Sequence, residues 1–173
     1  MLNIKPPDYK FCPMCGTTLS IRTHEGHDQK HCASCNWVYY PHVAASSVAV
    51  VTKDNKVLLV QRAREPHKGK WMMPAGFLNY GEHPSEAAMR EIFEETGYKA
   101  STVEFLDVIQ VTDDDRPGTE GHLGFFYQVE IDDSIQHDIS DKEENSAIEW
   151  FDINNLPPIA WENHLNILQT LFR

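Results

Sequence analysis

Between Gly76 and Tyr98 the chain runs Gly76, five residues, Glu82, seven residues, then Arg90-Glu91-Ile92-Phe93-Glu94-Glu95-Thr96-Gly97-Tyr98. Pro84 stands where a first helical turn accepts proline and Gly97 where a helix stops, so a helix is predicted from Pro84 to Thr96. On it Glu91, Glu94 and Glu95 are related by i, i+3 and i+4, so three carboxylates share one face. Hard divalent cations bind such oxygen clusters. A solvated acidic face has the same periodicity, and like-charge repulsion of about 0.2–0.5 kcal/mol per pair does not exclude it. The helix alone leaves both readings open.

The rest of the chain sets the context. Its 173 residues make one domain of ordinary size with a small appendage, and a 41% hydrophobic content supports one core. The formal net charge of −11 is unevenly spread: residues 53–70 carry six bases and two acids, residues 104–152 fifteen acids and two bases. Such a surface repels a phosphate backbone, so non-specific nucleic-acid binding is disfavoured, and handling an anionic ligand calls for cations in between. No stretch approaches the roughly 18 apolar residues of a membrane span, and Met1 to Lys10 lacks a signal-type apolar region. The expected compartment is the cytoplasm, with no membrane partner.

All four cysteines lie near the start, as Cys12-Pro-Met-Cys15 and Cys32-Ala-Ser-Cys35. Two Cys-x2-Cys pairs sixteen residues apart have zinc-ribbon spacing, in which four thiolates complete a tetrahedron around Zn²⁺. Two disulfides are the other reading, but nothing in the sequence points to an oxidising compartment. His24, His27 and His31 are read as solvated loop residues, because four cysteines already fill a coordination sphere. After this segment, Ala44–Thr52 and Val57–Gln61 read as a hairpin around Lys53-Asp54-Asn55-Lys56. Strands are predicted near 102–111, 123–131 and 147–151, a closing helix over 161–172, and long loops over 113–121 and 132–146.

The whole pattern from Gly76 to Tyr98 resembles the signature of the Nudix hydrolases at every specified position. Its fixed residues would coincide by chance on the order of once in 10⁹ starting points. Trp71-Met72-Met73-Pro74-Ala75-Gly76-Phe77 resembles the family's strand entering the loop, and Glu149-Trp150-Phe151 with Leu156-Pro157 its closing strand and turn. The resemblance implies an α/β fold: an α/β/α sandwich with a mixed sheet over residues 43–173, preceded by a zinc ribbon over 1–42. A ribbon joined to this domain resembles NADH pyrophosphatases and ADP-ribose/FAD pyrophosphohydrolases. The Ser-Gln-Pro-Trp-Pro-Phe-Pro-x-Ser tract of the first group is missing here, which sets the chain nearer the second.

What the resemblance implies is a metal-dependent pyrophosphohydrolase that splits a nucleoside diphosphate linked to another moiety. Mg²⁺ or Mn²⁺ would be held by Glu91, Glu94, Glu95 and the Gly76 carbonyl. Arg90, facing away from the metal, would pair with Glu86 or Glu94 and fix the helix, with Glu82 in support. A further carboxylate from a late loop is Glu144, with Glu143 and Glu120 as rivals; the general base is Glu144, Glu95 or Glu91. Among the residues that could meet a nucleotide substrate, Phe77, Tyr80, Phe125 and Tyr127 offer rings for stacking. Arg62 and Arg64 offer charge for a phosphate. Related ribbon-bearing enzymes are dimers, so a homodimer is implied. The reading from a different class is a non-catalytic nucleotide sensor whose ribbon binds nucleic acid or protein.

Overall fold

In the computed structural model, the described residues are 8–111, 121–132, 134 and 143–172. They divide into two compact units, Met1–Val43 and Ala44–Arg173. The first has almost no interior: among its described residues only Cys12 and Cys32 are buried. Its one regular element is a hairpin of β1 (Ser20–His24) and β2 (His27–His31), turning at Glu25 and Gly26, both at positive φ. His24, His27 and His31 therefore belong to strands and not to a loop, and His31 Nδ1 lies 3.0 Å from the Ser20 hydroxyl.

The two cysteine pairs sit on matching knuckles. The Cys12 N–H donates to the Thr17 carbonyl and Gly16 N–H to Cys12, while Cys32 N–H donates to Trp37 and Asn36 N–H to Cys32. Gly16 and Asn36 take the same left-handed backbone, φ 72° and 60°. A segment with this little buried surface needs a cross-link to hold its shape.

The second unit contains β3 (Ala45–Val50), β4 (Thr52–Lys53), β5 (Lys56–Arg62), β6 (Trp71–Met72), β7 (Ala75–Phe77), α1 (Pro84–Thr96), β8 (Lys99–Gln110), β9 (Leu123–Asp132), β10 (Asn145–Asp152) and α2 (Glu162–Leu171). One sheet has the order β7-β3-β9-β8 and is mixed, because β3 and β9 run parallel from Ala45/Leu123 to Val50/Gln128. The other is antiparallel, β10-β5-β4 with β6 on β5. The hairpin expected over 44–61 is thus shorter. Only β4 pairs with β5, across Asp54 and Asn55 at φ 49° and 61°, the paired left-handed turn that matches strand twist. β3 instead joins the other sheet, where both faces of its C-terminal half are buried: Val48 and Val50 pack with Leu59, Trp71, Phe126 and Leu168, whereas Ala49 and the following Val51 pack with Leu58, Ala88 and Ile92. The first cluster takes in α2 and the second α1, giving the helix-sheet-helix layering.

Helix α1 starts and stops where its sequence dictates. His83 caps it by accepting from Ser85 N–H, Glu86 reaches back to the His83 N–H at 3.1 Å, and Gly97 ends it at φ 74° with its N–H on the Phe93 carbonyl. Its buried face comprises Ala87, Ala88, Ile92 and Thr96 but also Glu91 and Glu95. The predicted loops over 113–121 and 132–146 fall largely outside the described residues. Among the described residues no helix is long and apolar enough to cross a membrane.

Candidate active site

The Glu91–Glu95 edge of α1's buried face lies against β7, and Gly76 is what lets Glu91 approach. A Cβ on Gly76 would overlap the Glu91 carboxylate, so glycine leaves space here for that side chain and does not serve backbone freedom. Arg90 ties the region together. Its Nε and Nη2 donate to the two oxygens of Glu82 at 2.7 and 3.0 Å, its Nη1 to Glu91 at 2.6 Å and Glu94 at 2.9 Å, and its Nη2 to the Phe77 carbonyl at 3.1 Å. The partners expected from helix spacing were Glu86 and Glu94. Glu94 is one of them, but Glu86 is committed to the helix cap, and Glu82 takes the bidentate bond. That bond holds the Glu82 carboxyl below its ordinary pKa.

Glu95 is turned the other way. Ala75 N–H donates to one of its oxygens at 3.0 Å and Asn145 Nδ2 to the other at 2.9 Å. Burial pushes its pKa up to about 8, the charges of Glu91 and Glu144 add to the rise, and the two hydrogen bonds oppose it. Burial also raises Glu91, against the pull of Arg90. The three helix carboxylates therefore share a face without converging, because Arg90 stands between Glu91 and Glu94 while Glu95 faces β7 and β10.

A cavity of about 410 Å³ opens in front of Glu91 and Glu94, and its wall also includes Gly76, Phe77, Glu144, Arg62 and Arg64. Glu144 pairs with Arg64, and its carbonyl accepts from Ala63 N–H at 2.7 Å. Arg62 lies with its guanidinium 5.4 Å from the Trp161 ring centroid and its Nε on the Pro66 carbonyl at 2.7 Å. Tyr80 is fully exposed and away from this wall, and Phe125 and Tyr127 pack with the α1 core. Glu143 is exposed, and Glu120 lies outside the described residues. The sequence reading missed Asn145, Asn163, His122 and His164, all on the cavity wall. Asn145 alone had a local pointer, its place beside Glu144.

Among the described residues only the four cysteines bring three or more metal-ligating atoms together, but the cavity's donors are of the kind that binds a hard cation: Glu91, Glu94 and Glu144 line it, and the Asn145 Oδ1 is buried with no hydrogen-bond partner. The cysteines fit a softer one. Their sulfurs approach at 3.5 to 3.7 Å, all within 4.8 Å, and none is in a disulfide. A tetrahedron of thiolates about 2.3 Å from its centre has edges of about 3.8 Å.

A helix bearing buried carboxylates, laid on the end of a strand in a mixed sheet and held by one arginine, defines the fold and site of a Nudix-type domain. The model of the NUDIX domain family matches residues 41–171, and the chain belongs to that family, the Nudix hydrolases. An ADP-ribose pyrophosphatase of Methanocaldococcus jannaschii is 36% identical over 134 residues, covering 78% of this chain and 76% of the relative. An NAD-capped RNA hydrolase, NudC, of Vibrio atlanticus is 31% identical, covering 87% of this chain and 52% of its own. The chain thus spans about half the length of that relative. The crystal structure of a Nudix hydrolase from Nitrosomonas europaea superposes with a TM-score of 0.65 at 26% identity, over 93% of this chain and 89% of the other.

Two outcomes follow. Gly76→Ala must drive the Glu91 carboxylate off Arg90 or β7 off β3, and a thermal melt should register a loss of about 1–3 kcal/mol; unchanged stability would place Glu91 elsewhere. The second concerns His164, which burial, Arg62 and His122 push down to about 3. An unfolded chain protonates this ring below about pH 6.5, the folded one only near 3, so the unfolded state binds more protons in between and stability falls as pH drops through that window. Urea midpoints at about pH 7.5 and about pH 5 should differ more for the wild type than for His164→Asn. Equal losses would assign the acid sensitivity to other groups.

Proposed function

We propose that this domain hydrolyses the diphosphate of a nucleoside diphosphate linked to a second moiety, of the ADP-ribose type, with Mg²⁺ or Mn²⁺ as catalytic cation. The observation that carries the reading is one cavity whose wall bears the carboxylates Glu91, Glu94 and Glu144 together with the guanidinium of Arg62. An anionic diphosphate needs both: positive groups to hold it and carboxylates to hold the cation that neutralises it. The relative named ADP-ribose pyrophosphatase supports that substrate class.

Glu91 and Glu94, with Glu95 behind them and the Gly76 carbonyl beside them, would hold the cation, which supplies Lewis-acid neutralisation of the diphosphate. Arg90 keeps Glu91 and Glu94 in register and tempers their mutual repulsion. A proton released by the attacking water goes to a carboxylate that reaches the cavity, Glu91 or Glu144; the oxygens of Glu95 face Ala75 and Asn145. Phe77, on the same wall, offers a ring to the base or sugar. In the first unit, Cys12, Cys15, Cys32 and Cys35 would hold one structural Zn²⁺, because thiolates select the softer ion and the helix carboxylates the harder.

Turnover of ADP-ribose, FAD and NADH with Mg²⁺ or Mn²⁺ tests the reading, beside elemental analysis of protein purified without added metal. The wild type should hydrolyse at least one of them, and Glu94→Gln, which keeps shape but removes charge, should lose on the order of 10²-fold or more while melting normally. One zinc per chain is expected. A wild type inert on the whole panel would favour a nucleotide sensor, and a Glu94→Gln rate near that of the wild type would remove the helix from the chemistry.

A further inference from the structure

Helix α2 brings to the cavity a histidine that has no part in the chemistry above. His164 is 4% exposed, and its Nδ1 accepts the Met73 N–H at 3.1 Å across 91 residues of chain. Its ring meets that of Phe126 edge-on, with centroids 5.9 Å apart at 82°. An imidazole that accepts at Nδ1 carries its proton on Nε2, so the backbone of Met73 selects the tautomer. Among the described residues nothing takes that Nε2–H, and the cavity His164 lines is the one bearing Glu91 and Glu94. Arg62, Trp161 and Asn163 stand on the same wall.

The neighbours explain why this ring stays neutral. Burial and the charge of Arg62 hold the imidazole far below its ordinary range, so it remains an N–H donor at any working pH. A neutral donor beside a guanidinium recognises an anionic oxygen: the guanidinium supplies the charge and the imidazole a fixed direction. A histidine whose role was only to satisfy the Met73 N–H would use one nitrogen and would not need to line the cavity as His164 does.

We infer that His164 Nε2–H and Arg62, on the wall of one cavity, bind non-bridging oxygens of the substrate's diphosphate. This rests on the pyrophosphohydrolase reading for its substrate, but the subsite itself is for phosphoryl oxygen. It makes His164 a substrate-contacting residue, set in place by a backbone bond outside the sequence signature.

The test uses His164→Asn in the full chain, since the asparagine Oδ1 can still accept from Met73 while the donor to the cavity is lost. With Mg²⁺ present, calorimetric titration compares wild type and variant for the α,β-methylene analogue of ADP-ribose, for inorganic pyrophosphate and for adenosine. The variant should bind the analogue and pyrophosphate about tenfold or more weakly and adenosine equally, with the melting temperature kept. Equal pyrophosphate affinity in the two proteins overturns the inference. A wild type that hydrolyses none of the substrate panel, yet binds pyrophosphate more tightly than the variant, overturns the pyrophosphohydrolase reading and leaves the subsite standing. Should the variant not fold, the wild type decides: pyrophosphate must shift the His164 Nε2–H resonance in ¹⁵N-labelled protein, and no shift overturns the inference.

Discussion

Everything at the site depends on one guanidinium. Arg90 joins the loop through Glu82, the end of β7 through the Phe77 carbonyl, and the helix through Glu91 and Glu94. Glu91 is nearly buried and Glu94 half-exposed, and in the lowered dielectric around Glu91 the two charges repel more strongly than on an open helix. One cation shared between them makes the arrangement tolerable, and its bidentate grip on Glu82 gives it a fixed direction. Since these partners come from three separate segments, the same contacts that balance the charge also set the packing of α1 on the sheet. Gly76 completes the arrangement by contributing no side chain where the Glu91 carboxylate must lie.

The cavity beyond is two-sided. Carboxylates from α1 and from the segment before β10 lie on its wall with Arg62 from β5 and His164 from α2. The α1 carboxylates and His164 come from opposite helix layers, whereas Glu144 and the arginines come from neighbouring strand ends of one sheet, where Glu144 pairs with Arg64. The chain's acidity is concentrated in its second half, whereas the basic residues of 53–70 supply the cavity's cations, Arg62 and Arg64.

Much of this was legible in the residues, where the signals are local. Pro84, Gly97 and the spacing of the carboxylates set the bounds of α1, because caps and periodicity act within a turn or two. The cysteine pairs foretold the sulfur cluster for the same reason: each knuckle is a five-residue turn. What could not be read was partner choice over distance. β3 and β5 looked like one hairpin because both are apolar and a turn joins them, yet β3 pairs with β7 and β9. Arg90 takes Glu82, eight residues away, through a loop whose path no helical spacing describes. Asn145 and His164 reach the site over 50 and 91 residues, and neither carries a pattern in its neighbours. Tyr80, chosen as an aromatic near the signature, points to solvent.

If Arg90 creates the proposed cation site by positioning carboxylates, it does so although its own charge opposes a cation. Titration of Mn²⁺ into wild type and Arg90→Ala, followed by the loss of the free-ion paramagnetic resonance signal, sets the two effects against each other. If positioning dominates, the variant binds Mn²⁺ about tenfold or more weakly despite its more negative site. Binding as tight as, or tighter than, in the wild type would contradict the account and reduce Arg90 to charge balance.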